Sequence, residues 1–294
     1  MRVDLPGRGL HLEAESHGKP SDPPVILIMG LGLQLIFWPE ELIEALTDAG
    51  FRVIVFDNRD CGLSGSRFER AYTAPGRALL AHMFRRPFRP AYRLPDMAED
   101  TLALADALQI ESFHLVGVSL GGMVAQTLAA RYPDRVLSLV SIMSNAGPDT
   151  APWPKPGVLR KFMRRPPRRA RRQARIEHTV RVLVAVGRLR DDAEIDRLRE
   201  RVAAAVDRAW RPDGIARQLL AVLADRDRSA EVHMPDADHA RRGRPADPAA
   251  GRLLPAQADS ACRTGNRRGH GALLSASLSA ANLGRAGPAP GRIA

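Results

Sequence analysis

The turn at Gly117-Val118-Ser119-Leu120-Gly121 constrains this chain more than any other feature. An apolar run, Phe113–Val116, leads into it, and a helical pattern from Met123 to Ala130 follows directly. A serine between two glycines at a strand-to-helix junction sits on a crowded, strained backbone that the glycines relieve, and its hydroxyl stands exposed at the end of a sheet. The Leu120 N–H and the helix N-terminus point to where charge would gather on a carbonyl oxygen under attack. Strand, turn and helix coincide here, so Ser119 reads as a nucleophile rather than as an ordinary helix cap.

The surrounding pattern supports a sheet built for such a turn. Val25–Met29 and Arg52–Phe56 are short apolar strands, and Glu40–Ala49 is a helix stopped by Gly50. A further helix begins at Asp96, and Val136–Met143 is the next strand, after the Tyr132-Pro133 stop. This alternation predicts an α/β fold, a mostly parallel sheet with helices on both faces. Met29-Gly30-Leu31-Gly32 follows the first long strand, where small residues let the backbone approach a substrate and the Leu31 N–H can serve as a second oxyanion donor.

Three segments resemble the α/β-hydrolase family. They are Met29-Gly30-Leu31-Gly32-Leu33-Gln34-Leu35-Ile36, Phe56-Asp57-Asn58-Arg59-Asp60-Cys61-Gly62-Leu63-Ser64 and Gly117-Val118-Ser119-Leu120-Gly121-Gly122. They look like the branch that includes aclacinomycin methylesterase, closely over residues 20–145 and loosely beyond. The resemblance implies a helical cap over the site and a Ser-His-Asp hydrolase of carboxylic esters acting through an acyl-enzyme without a cofactor. It also implies Ser119 as nucleophile, with the Leu31 and Leu120 N–H groups as the oxyanion hole.

Composition narrows the partners. The 294 residues carry 44 Lys+Arg against 33 Asp+Glu, a formal charge of +11, yet only Lys19, Lys155 and Lys161 are lysines. The arginines lack interleaved aromatics and a nucleic-acid-binding module, so nucleic acid is not the expected partner; the resemblance implies a small ester instead. Two cysteines, Cys61 and Cys262, exclude a disulfide scaffold or a multi-cysteine zinc site, and no metal site is expected. Cys61, in a turn after a strand, reads as a small neutral filler. No apolar run reaches membrane-spanning length and no signal peptide opens the chain, so a cytoplasmic protein with no membrane partner is expected.

The chain divides into a core at 1–145, a helical cap at 146–230 and an irregular tail at 231–294. In the middle part a proline-rich linker and the basic run Arg164–Arg175 precede helices through Val180–Val186, Ile195–Trp210 and Ile215–Ala224. The tail shows no period of 2 or 3.6, which predicts a segment unable to offset its ordering entropy and a sheet without its last strands. No acid or base is identifiable in family order. Asn145 occupies the alternative acid position, and His270 follows no strand. Advancing the reading by one base across Pro235–Pro248 permits Pro-Thr-Leu-Ile-Met-His-Gly-Ala-Asp-Asp-Pro-Leu-Ile-Pro, and across Gly269–Leu273 it permits Gly-Met-Gly-His. Both resemble the missing acid and base motifs, in order, so the reading frame is expected to break near Ala230. A pseudoenzyme that binds a small molecule without turnover, and a basic nucleic-acid binder, are the alternative functions.

Overall fold

The computed structural model describes residues 1–65, 73–84, 86–145 and 171–225. Six strands form one sheet: β1 (Arg2–Leu5), β2 (Leu10–His17), β3 (Pro24–Ile28), β4 (Arg52–Phe56), β5 (Phe113–Val118) and β6 (Val136–Ile142), in the order β1-β2-β4-β3-β5-β6. β1 and β2 join antiparallel, and the pairings from β4 through β3 and β5 to β6 are parallel. The fold is therefore the mostly parallel α/β sheet that the sequence predicts.

Local chemistry explains the strand classes. β3, β4 and β5 read as continuous apolar runs because helices cover both of their faces. β2 instead alternates, with Leu12 and Ala14 inward and Glu13 and Glu15 outward. That alternation is a period-two signal that the sequence reading passed over, and the β1–β2 hairpin is an addition to it. Helix α1 spans Glu40–Asp48. Helix α2, Pro75–Met83, was likewise not expected. Helix α3 (Leu94–Ala107) starts two residues before the expected Asp96, because Pro95 can occupy a first-turn position and Asp96 accepts from the Arg93 N–H at 2.8 Å. Helix α4 runs Leu120–Arg131, so it begins at the turn itself and not at Met123.

Helices α5 (Arg172–Gly187), α6 (Asp192–Arg208) and α7 (Pro212–Ala224) match the three expected in the second part of the chain. Trp210 lies just past α6, whose N-terminus is capped by Asp191 accepting from the Glu194 N–H. The expected tail at 231–294, the frame break and His270 lie outside the described residues, as do the linker and most of the basic run.

Two apolar clusters sandwich the sheet. One joins β3–β5 to α3 and α4 through Phe56, Phe113, Leu104 and Leu128. The other joins the opposite face to α1, α5 and α6 through Val53, Leu46, Val180 and Val202. Each large buried side chain contributes roughly 1.5–3 kcal/mol. A buried charge cluster ties the N-terminal hairpin down: Arg8 Nε and Arg59 Nη2 donate to Asp100 Oδ1 at 2.5 and 2.6 Å, and Arg59 lies 4.7 Å from the Tyr92 ring centroid. Among the described residues no strand pairs with the far edge of β6, where Leu137 is 39% exposed.

Candidate active site

Ser119 follows β5 directly, and its backbone is turned to φ 54°, ψ −115°. A left-handed serine costs on the order of 1–3 kcal/mol, so packing must enforce it. The enforcement is visible on both sides. A Cβ at Gly121 would stand 1.9 Å from the Ile28 carbonyl oxygen, and one at Gly117 would stand 2.4 Å from that of Gly121. Only glycines allow α4 to press onto β3 while the chain reverses. The Ser119 N–H donates to the Ile142 carbonyl at 2.8 Å, and the Ser119 carbonyl accepts from the Met123 N–H at 3.1 Å. The serine is thus pinned to the end of β6 by one bond and to the start of α4 by the other.

The loop after β3 comes up beside it. A Cβ at Gly30 would lie 3.6 Å from the Ser119 Cβ. Gly30 to Leu33 forms a turn, with the Leu33 N–H donating to the Gly30 carbonyl at 3.2 Å, and Gly32 at φ +68° supplies the left-handed position. The Gly32 N–H is taken by Gln218 Oε1 at 2.8 Å, and Asn58 Nδ2 holds the Met29 carbonyl at 2.9 Å. The Leu120 N–H lies in the first turn of α4, where helical geometry supplies no partner. The two predicted donors, Leu31 and Leu120, therefore sit on elements that meet at Ser119.

Side chains that the sequence reading did not single out brace this loop. Asp57 is fully buried and accepts from the Leu35 N–H at 2.7 Å, the Leu63 N–H at 2.9 Å and Arg208 Nη1 at 2.5 Å. Asp60 takes Arg217 through both carboxylate oxygens, at 2.7 and 2.8 Å. Helix α7 can approach that turn because a Cβ at Gly214 would fall 1.9 Å from the Asp60 carbonyl oxygen. The two arginines lie more than 140 residues from their carboxylates in sequence, and no local pattern pairs them. Cys61 is buried, and burial pushes its thiol up, so it is a neutral filler as expected. A cavity of about 50 Å³ lies under the loop, walled by Leu33, Phe37, Cys61, Val202, Trp210 and Ile215. Ser119 stands outside its walls.

The acid–base half is not assembled among the described residues. His114 is the second residue of β5, roughly 16 Å of strand away from Ser119, and its Nδ1 lies 2.7 Å from Ser138 Oγ. His11 and His82 meet the Leu63 and Leu223 carbonyls. Asn145 lies three residues past β6. Among the described residues no group of three or more His, Cys, Asp or Glu could hold a metal, and no helix is long and apolar enough to cross a membrane.

A family model, the alpha/beta hydrolase fold, matches residues 23–208. The chain belongs to the alpha/beta hydrolase family. Rhodomycin D methylesterase of Streptomyces sp. (strain C5) is 37% identical over 135 residues, covering 46% of this chain and 39% of that protein. A poly(3-hydroxyalkanoate) depolymerase of Ectopseudomonas oleovorans is 32% identical over 182 residues, covering 60% of this chain and 53% of the depolymerase. The chain thus spans only part of the length of these relatives. A hydrolase from Pseudomonas aeruginosa superposes with a TM-score of 0.53 at 25% identity, over 76% of this chain and 72% of its own. The enol-lactonase from Burkholderia xenovorans, at 20% identity and a TM-score of 0.53, shares the alpha/beta hydrolase fold.

Proposed function

We propose that this alpha/beta hydrolase is built to cleave a carboxylic ester of a small, largely apolar molecule through a Ser119 acyl-enzyme. The observation that carries the reading is the left-handed Ser119 held between Gly117 and Gly121 with the Gly30 turn beside it. Ser119 Oγ would attack the ester carbonyl as the Leu31 and Leu120 N–H groups receive the developing oxyanion. The acyl group would pass to Ser119, the alcohol would leave with a proton, and water would then release the acid. Each proton transfer needs a base that the chain as written does not supply in family order, so the chain is read as impaired. The helical segment at 146–230 serves as the cap, and the frame change near Ala230 removes the acid and base together.

The proposal is tested by restoring the frame near Ala230 and measuring p-nitrophenyl ester turnover beside the chain as written. Restoration should raise turnover by orders of magnitude, since oxyanion stabilisation and binding alone leave only about 10³–10⁴-fold over water. A restored, folded protein that cleaves no simple ester would overturn the proposal. That no base is assembled among the described residues also fits a protein that binds a small molecule without turning it over, and that protein would bind the ester unchanged in both forms.

A further inference from the structure

Helix α2 carries apolar side chains on two different faces. One face is buried: Ala78 and Leu79 pack on Leu219, Leu220 and Leu223 of α7, and His82 Nδ1 lies 2.7 Å from the Leu223 carbonyl oxygen. This contact fixes how the helix is rotated. The outward side then holds Leu80, Met83 and Phe84, which are 55%, 61% and 69% exposed. Their spacing of three and four residues puts them on one stripe. Three large apolar groups in solvent on one helix end form a patch that ordinary surface composition does not require.

The segment that carries the stripe is basic, while the helix it packs on adds Asp213 and, at its end, Asp225. Between Ala71 and Pro95 the chain has Arg77, Arg85, Arg86, Arg89 and Arg93, with no Asp or Glu. Arg77, Arg86 and Arg89 are exposed. A second copy of the chain seated on the stripe would set arginine against arginine, so the charge argues against self-association. Apolar side chains rimmed by guanidinium groups match a surface that is apolar within and anionic at its face. We infer that α2 docks onto an anionic phospholipid surface, with Leu80, Met83 and Phe84 entering the acyl boundary and the arginines meeting headgroup phosphates. Because α2 packs on α7, and α7 carries Gln218 against the Gly32 turn, the docked surface would lie one helix away from the candidate site. The inference rests on α2 and its charge, independently of the ester-hydrolase reading.

The test uses the full chain with vesicles of phosphatidylcholine, alone or mixed with phosphatidylglycerol. Co-sedimentation should show binding to the mixed vesicles that weakens with salt, and much weaker binding to phosphatidylcholine alone. The combined Leu80→Ser, Met83→Ser and Phe84→Ser variant, changed only at exposed positions, should keep its circular dichroism and bind roughly tenfold more weakly or worse. Phe84→Trp should shift its fluorescence to the blue on mixed vesicles, relative to the parent chain. Undiminished binding by the triple variant with no blue shift would mean that the overall +11 charge acts elsewhere, and would overturn the inference. Self-association that the triple variant abolishes, without vesicle binding by the parent, would overturn it in favour of a second copy.

Discussion

Gln218 Oε1 accepts the Gly32 N–H at 2.8 Å while its Nε2 donates to the Arg59 carbonyl at 2.8 Å, joining loops that follow two different strands. Gln218 is fully buried, and its bond to the Arg59 carbonyl is buried with it. Its effect is to consume the Gly32 N–H and hold the turn, and on the proposed mechanism this leaves the neighbouring Leu31 N–H to serve as an oxyanion donor. Helix α7, the last described element, thereby sets the geometry of a loop 186 residues earlier.

If that bond positions the oxyanion loop, Gln218→Ala in the frame-restored protein should lower kcat roughly tenfold or more and leave KM little changed. That is less than the 10²–10³-fold expected from deleting a donor outright, because the Leu31 N–H is displaced rather than removed. Gln218→Glu keeps the acceptor for Gly32 and should recover part of kcat. Steady-state kinetics on a simple ester checks both, and a loss confined to KM would contradict the positioning role.

Gly121→Ala should destabilise the fold by more than about 3 kcal/mol. Its Cβ would meet the Ile28 carbonyl at 1.9 Å, a backbone atom that cannot swing aside. Urea denaturation followed by circular dichroism measures the change.

Breaking the buried Asp57–Arg208 contact should also be costly. Arg208→Met removes the 2.5 Å partner of a carboxylate that has no exposure, and leaves two backbone N–H donors to carry it. A loss of about 3–5 kcal/mol is expected, because a buried charge is left without its counterion. The same denaturation assay reads it, and a change below roughly 1 kcal/mol would contradict the expectation.

Stability should fall on the acid side through His114. Burial lowers its pKa below the ordinary 6.5, so the folded chain holds fewer protons there than the unfolded one. Stability is then fully present above about 6.5 and is lost as pH falls below that value toward the folded pKa. His114→Gln should flatten this part of the profile, as measured by urea midpoints at successive pH values; an unchanged slope would contradict it.

The proposed frame change makes a claim about bases. The alternate frame gives Asp only if Arg244 is coded CGA or AGA, and His only if Ala272 is coded GCA. Sequencing the gene checks both, and CGC with GCC would remove acid and base from that frame.

How much was legible depended on how local the cause was. The turn at Ser119 was readable because its strand, glycines and helix are contiguous from Phe113 to Arg131, and sterics at Gly117 and Gly121 leave few alternatives. β3, β4 and β5 were readable because burial on both faces leaves an unbroken apolar run. β2 was passed over because its inward Leu12 and Ala14 alternate with acids, so its mean composition looks polar. Gln218, Arg208 and Arg217 were illegible for a different reason. Each is a polar residue on a helix, indistinguishable in sequence from a solvated one, and its role exists only once α6 and α7 fold against loops more than 140 residues away.

The central claim is that Ser119 is the nucleophile, and its most direct test is covalent. The frame-restored protein is incubated with a fluorophosphonate and the modified peptide is located by mass spectrometry. The adduct should map to Ser119, in the segment Gly117-Val118-Ser119-Leu120-Gly121, and Ser119→Ala should abolish both the adduct and ester turnover while circular dichroism stays unchanged. An adduct on another residue, or full turnover by Ser119→Ala, would contradict the account.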